Sequence, residues 1–110
     1  MPDGNLSSAE YVQRVLDAYR RTPGTTGQVR RSDRLLASQL QQRGVPIQVV
    51  ENAFVLGASR RLLRAPEVPP LTLVRSLAYF VPVIEEVLEL KISATYFQYL
   101  RAKLQRFYPH

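Results

Sequence analysis

The chain predicts an all-α fold, a compact bundle of about five helices. Three observations carry that expectation. Apolar residues recur at three- and four-residue spacing in five segments. Capping or stop residues bracket those segments. Nowhere does apolar/polar alternation run at period two, and no Asn-Gly pair marks a hairpin.

The first helix opens at Ser7, three residues before Glu10, the spacing of a capping box. Tyr11, Val12, Val15, Leu16 and Tyr19 form its apolar stripe, and Thr22-Pro23-Gly24 stops it. Ser32 is the expected cap of a second helix that turns Leu35, Leu36 and Leu40 inward and ends at Gly44 in a left-handed conformation. Pro46 opens a third helix, where a missing N–H costs nothing. Ile47, Val50, Ala53, Phe54 and Leu62 are its inner positions. Gly57-Ala58 in its middle reads as a notch that lets a neighbour come close, because it lowers helix propensity without a local reason.

Residues 65–70 (APEVPP) form a stiff connector. In the fourth segment Pro82 leaves two arrangements open. Either a helix starts near Ser76–Tyr79 with Pro82 in its early turns, or two short helices meet at a bend. Val83, Ile84, Val87 and Leu88 form the expected core face there, and Glu85, Glu86 and Glu89 the wet face. Ser93 caps the last helix, with Tyr96, Phe97, Leu100, Leu104 and Phe107 facing inward. A loose tail over residues 1–6 and a single helical domain over 7–110 complete the organisation, since 110 residues leave no room for two cores.

Composition narrows the function. Lys+Arg number 15 against 9 Asp+Glu, a formal net charge of +6. Thirteen of the 15 are arginine, in the clusters Arg20-Arg21, Arg30-Arg31-Arg34, Arg60-Arg61-Arg64 and Arg101-Lys103-Arg106. The guanidinium fork fits phosphate oxygens, so an anionic partner is expected, nucleic acid first. The competing reading is an arginine-rich composition with a merely solvated surface. The chain has no Cys, hence no disulfide or thiolate chemistry, which fits a reducing compartment. Its N-terminus lacks the pattern of a signal peptide, and Leu71–Leu90 is too polar to span a bilayer. A cytoplasmic protein without membrane attachment is the expectation.

Catalysis is not expected. The one His is His110, at the last position, and no metal-protease, nucleotide-loop or dinucleotide motif occurs. No cofactor, metal or catalytic residue is assigned. The acidic run Glu85-Glu86-Glu89 reads as a solvated face rather than a paired acid and base.

Two readings stay open for residues 33–61. One is a helix-turn-helix in which Gln48, Glu51, Asn52 and Val55 are exposed on the second helix, with Gln48 and Asn52 able to read adenine. The other is an ordinary antiparallel helix pair with a glycine turn. Likewise TPGTTGQVRR (residues 22–31) is either a phosphate cradle of backbone N–H groups, threonine hydroxyls and arginines, or a plain interhelical loop. Of the C-terminal aromatics, Tyr99 and Tyr108 fall off the apolar stripe and are the expected exposed rings, available to stack on unpaired bases.

The stretch Ser32–Val87 resembles the DnaD-like helical domain of bacterial and phage primosome and replication-initiation proteins. The resemblance is carried by Gly44-Val45-Pro46 at a helix end, by Val49, Val50 and Ala53 in the next helix, and by the helix start from Ser76 through Tyr79 to Ile84. It implies an all-α, DNA-associated accessory that helps load replication machinery, and it names no catalytic residue.

The expected function is therefore a non-catalytic nucleic-acid-binding accessory, replication- or mobile-element-associated, with DNA as partner and a replication or transposition ATPase or a second copy as further ones. The expected phosphate contacts are Arg30, Arg31, Arg34, Arg60, Arg61 and Arg64, extended by Arg101, Lys103 and Arg106, with Gln48 and Asn52 at base edges. That reading requires the cations to converge on one face. The alternative is a protein-interaction module, an adaptor or homo-oligomer, whose arginines meet an acidic partner.

Overall fold

A computed structural model describes residues 6–63, 71–90 and 92–107. The chain forms five α-helices in an all-α bundle: α1 (Ser8–Arg21), α2 (Arg31–Gln42), α3 (Ile47–Leu62), α4 (Val81–Glu89) and α5 (Ala94–Phe107), with a 3-10 turn, Leu77–Phe80, leading into α4. The expected tail over 1–5, the connector over 65–70, Arg64, the side chain of Phe107, Tyr108 and His110 lie outside the described residues. Leu6, expected in the tail, instead packs against the core.

Local sequence sets the helix ends. Ser7 Oγ accepts from the Glu10 N–H at 3.1 Å, and Glu10 Oε1 accepts from the Ser7 N–H at 2.9 Å, which completes the expected capping box. Gly44 has φ +74°; the Gly44 N–H donates to Gln41 O at 3.0 Å and the Val45 N–H to Leu40 O at 3.1 Å, the double closure of a Schellman motif. The Ser93 hydroxyl accepts from the Tyr96 N–H and starts α5. Pro82 is the second residue of α4, where its ring costs no hydrogen bond. Both arrangements foreseen for that segment contribute: Ser76 caps a short 3-10 turn, and α4 follows with Pro82 at its start.

The core is centred on α3, which packs on α1, α4 and α5, while α2 lies on α1. Tyr19 of α1, Phe54 of α3 and Phe80 form an aromatic triad with ring centroids 5.1–6.2 Å apart, two of the three contacts edge-on. The notch at Gly57 receives Phe80. A Cβ on Gly57 would lie 2.7 Å from Phe80 Cε1 and 2.8 Å from Cδ1. The notch was legible in the sequence; its occupant, a ring of the 3-10 turn rather than a second helix, was not.

Three expected inward residues need correction. Leu35 is 58% exposed and Tyr96 45% exposed, and Leu88 of α4 is 40% exposed. On α2 the buried positions are Asp33, Ala37 and Leu40, so the helix is rotated to bury a carboxylate and a small residue instead of Leu35. Leu40, by contrast, is buried in the core as expected.

The expected wet face of α4 is also a binding face for α2 and α3. Arg43 reaches Glu85 with both Nη groups, at 2.9 and 3.1 Å, and Arg60 holds Glu86 by the same fork. Arg14 of α1 pairs likewise with Glu51 of α3, at 2.9 and 3.1 Å.

Two predictions follow from this packing. Gly57→Ala gains up to about 1 kcal/mol of helix propensity but forces the new methyl into Phe80, which costs about 1–3 kcal/mol. Chemical denaturation is expected to show a net loss, and Phe80→Leu in the same chain should recover part of it. A Gly57→Ala chain as stable as the parent would contradict the notch. Second, the arginine hydrogen bonds hold the Glu85 and Glu86 carboxyls below the ordinary glutamate range. A lowered folded-state pKa stabilises above the unfolded value, about 4.3, and that contribution fades as pH falls through the folded values. Thermal melts should therefore show a steeper acid limb in the parent than in Glu85→Gln/Glu86→Gln. Equal slopes would show that the pairs do not contribute.

Candidate nucleic-acid interface

The arginines fall into two groups, decided by what each one touches. Arg14, Arg20, Arg43 and Arg60 form ion pairs with Glu51, Asp17, Glu85 and Glu86. Among the described residues, no carboxylate lies within ion-pair distance of Arg21, Arg30, Arg31, Arg34, Arg61, Arg75, Arg101, Lys103 or Arg106. Among the described residues, the positive excess therefore resides in the second group.

One buried side chain gathers part of that group. Asp33, 1% exposed, sits in the first turn of α2. Its Oδ2 accepts from the Arg30 N–H at 2.8 Å and closes the helix start. Its Oδ1 accepts from the Leu77 N–H at 2.9 Å, with the Ser76 hydroxyl at 3.5 Å. This moves the cap from the expected Ser32 to Arg30. It also brings the segment that carries Arg75 to the end of α2 that carries Arg30, Arg31 and Arg34. All four arginines are exposed. A parallel pairing of Thr25 with Val74 adds a second tie, through Thr26 N–H to Val74 O at 2.9 Å and Val74 N–H to Gly24 O at 2.8 Å.

Those same bonds engage several of the donors that the phosphate-cradle reading of residues 22–31 assigns to an anion. The Thr25 and Thr26 N–H groups donate to Thr22 O and Val74 O, and the Gln28 N–H to Thr26 Oγ1. The Thr22 and Thr25 hydroxyls donate to carbonyls of α1 and of the loop itself. The segment acts as a staple between α1 and residues 71–76, with Arg30 and Arg31 exposed at its end.

The other sequence-predicted positions are placed as follows. Gln48 Nε2 donates to Asn52 Oδ1 at 3.2 Å, and Arg101 of α5 donates to the same oxygen at 2.7 Å. Asn52, Glu51 and Val55 are half-buried. Glu51 and Val55 line a cleft of about 450 Å³ between α1, α3 and α5, with Arg21 and Arg101 at its wall. The face of α3 that a helix-turn-helix would present to base edges is thus partly covered by α1 and α5. Arg61 donates to the Thr72 carbonyl and to the Tyr79 hydroxyl at 3.3 Å, its guanidinium 5.1 Å from the Tyr79 ring. Lys103 lies 5.7 Å from the Tyr99 ring, and Arg106 is exposed.

The convergence of all the cations on one face is not observed. Arg43 and Arg31 stand at opposite ends of α2, about 18 Å apart at the helical rise. Arg60 is held by Glu86, and Arg61 by Thr72 and Tyr79. Sequence reasoning missed Arg75, which stands alone in the chain and belongs to no cluster. It also missed Asp33 as the residue that organises the surface. Near Asp33 the Tyr19 phenol is buried without a hydrogen-bond partner among the described residues, and burial foremost, then the Asp33 charge, pushes its pKa up. Among the described residues no group of three or more His, Cys, Asp or Glu side chains comes together, and no helix is long and apolar enough to cross a membrane.

Removing the Asp33 carboxylate leaves two backbone N–H groups without partners, each worth about 1–3 kcal/mol. Asp33→Ala should cost about 2–4 kcal/mol in urea unfolding, and Asp33→Asn less, since an amide keeps one acceptor oxygen. A loss below about 1 kcal/mol for the alanine variant would show that Asp33 does not hold this end together.

In comparisons with known proteins, no family model, no curated protein and no solved structure matches this chain.

Proposed function

We propose that this chain is a non-catalytic nucleic-acid-binding accessory protein that contacts the phosphate backbone through Arg30, Arg31, Arg34 and Arg75. One observation carries the reading: a buried carboxylate assembles these four exposed arginines at one end of α2, and among the described residues no carboxylate pairs with them. Four exposed arginines on two segments tied to one buried carboxylate are suited to phosphate contacts. The affinity of those contacts would come in large part from counterion release. The resemblance of residues 32–87 to DnaD-like domains suggests an accessory that helps load replication machinery, and a cytoplasmic location, a mobile-element setting and a replication or transposition ATPase as a further partner are proposed beside it.

A second reading, a protein-interaction module or homo-oligomer, is favoured by one separate observation. Leu35 is exposed beside Arg31 and Arg34, and Leu71 and Leu73 are 49% and 56% exposed on the segment that carries Arg75. Apolar side chains among cations suit an acidic protein surface as well as a nucleic acid.

The discriminating experiment is a titration of a labelled mixed-sequence duplex between about 50 and about 200 mM salt. Binding should weaken steeply with salt, and Arg31→Ala or Arg34→Ala should each flatten the log–log slope by about 0.9. Arg43→Ala, whose charge is held by Glu85, should change the slope less. Undetectable binding at low salt, or equal effects of all three substitutions, overturns the reading. A DNA-independent dimer in light scattering together with no duplex binding favours the second.

A further inference from the structure

The outer face of α5 carries a different chemistry from the end of α2. Tyr96, Tyr99, Lys103 and Arg106 recur at i, i+3, i+7 and i+10, which sets them along one stripe of the helix. Phe97, Leu100 and Leu104 are buried on the neighbouring face. Tyr96 and Tyr99 are 45% and 56% exposed, and their rings are stacked, centroids 6.4 Å apart and planes 30° from parallel. The Lys103 ammonium lies 5.7 Å from the Tyr99 ring. The helix sequence, ATYFQYLRAKLQRF, contains three cations and no acidic residue. Beside the stripe runs a groove of about 520 Å³ between α3, α4 and α5, with Leu56 and Leu100 among its apolar lining. Glu86 also lines it, but both its oxygens are engaged by Arg60.

Exposed aromatic rings on a basic helix suit an occupant that is flat, apolar on its faces and anionic at its edge. A nucleobase on a phosphate backbone meets all three requirements. In a duplex the base faces are already stacked on one another, so only unpaired bases can use the tyrosines. We infer that α5 is a single-strand binding stripe, in which unpaired bases stack on Tyr96 and Tyr99 while Lys103 and Arg106 hold the backbone. The inference extends the nucleic-acid reading of the chain and adds the strand type and a second contact surface. A protein partner fits the stripe less well, because two rings lying nearly parallel, with a cation over one of them, suit a planar partner with a negative backbone.

The chain contains no Trp, so its intrinsic emission comes from tyrosine, and two of the six tyrosines are in the stripe. The test titrates the full chain with oligothymidine, with an abasic oligomer of the same length, and with a mixed-sequence duplex, and follows both tyrosine emission and binding anisotropy. Oligothymidine should quench the emission more than the abasic strand. Tyr99→Leu and Tyr96→Leu should each weaken oligothymidine binding by roughly five- to a hundredfold. Both should leave duplex binding through the α2 arginines within about twofold, since stacking acts only on unpaired bases. Circular dichroism verifies that the leucine variants, both at exposed helix positions, remain folded.

If the leucine variants bind oligothymidine as the parent does, or if the abasic strand binds equally well, the stripe is not a stacking surface, while salt-graded duplex binding keeps the parent reading intact. Concentration-dependent self-association that the leucine variants abolish, without any quenching by oligothymidine, would assign the stripe to a second copy and overturn the inference. Absence of binding to all three oligomers overturns both readings together.

Discussion

A single buried carboxylate sets the architecture of the basic end. Asp33 faces two demands at once: the first turn of α2 has N–H groups with no helical acceptor, and so does the 3-10 turn that begins at Leu77. One oxygen serves each. A carboxylate removed from water is unfavourable unless it is hydrogen-bonded, and the backbone donors from two elements supply that compensation. The geometry is therefore reciprocal. Asp33 takes one N–H from each element, alongside the Ser76 cap of the 3-10 turn, and each element supplies part of the compensation that its carboxylate requires. Its consequence is that residues 71–76, which contain no regular structure of their own, are fixed against α1 and α2 and carry Arg75 to the arginines of α2.

The second organising feature is the division of labour among the cations. Arg14, Arg43 and Arg60 bridge helices, each with a two-pronged contact to a carboxylate of another helix. They join α1 to α3, α2 to α4 and α3 to α4. Exposed pairs of this sort contribute modestly to stability, but a fork-to-fork contact fixes relative orientation as well. Arg20 pairs with Asp17 within α1, and the other described cations, with no described carboxylate at ion-pair distance, hold the charge that the proposed anionic partner would meet. Net charge alone does not separate these two populations, because they are chemically the same residue.

The aromatic triad explains why α3 tolerates Gly57 in its interior. Phe80 must approach the α3 backbone closely to meet both Tyr19 and Phe54, and any side chain at 57 would stand in its place. The helical entropy lost at glycine is offset by ring contacts and by full burial of a phenyl group. The 3-10 turn and Pro82 deliver Phe80 at that point: proline is tolerated at the start of α4, and the tighter turn before it carries the ring to the notch.

Local chemistry was written in the sequence. The capping box at Ser7, the glycine close of α2, the start of α5 at Ser93 and the small residue at 57 are each decided by atoms within a few positions along the chain, so helix number and type, with most boundaries, follow from the residues alone. What depended on tertiary structure is which side of a helix turns inward and which charges are left over. Leu35 and Tyr96 sit at positions that the apolar period assigns to the core, but the packing of α2 on α1 and of α5 on α3 selects faces rotated from them. The fate of each arginine was likewise settled only when Glu51, Glu85 and Glu86, 37, 42 and 26 residues distant from Arg14, Arg43 and Arg60, were folded beside them. Propensity and capping act over one helical turn, whereas ion pairing and face selection act between segments that meet only in the folded chain.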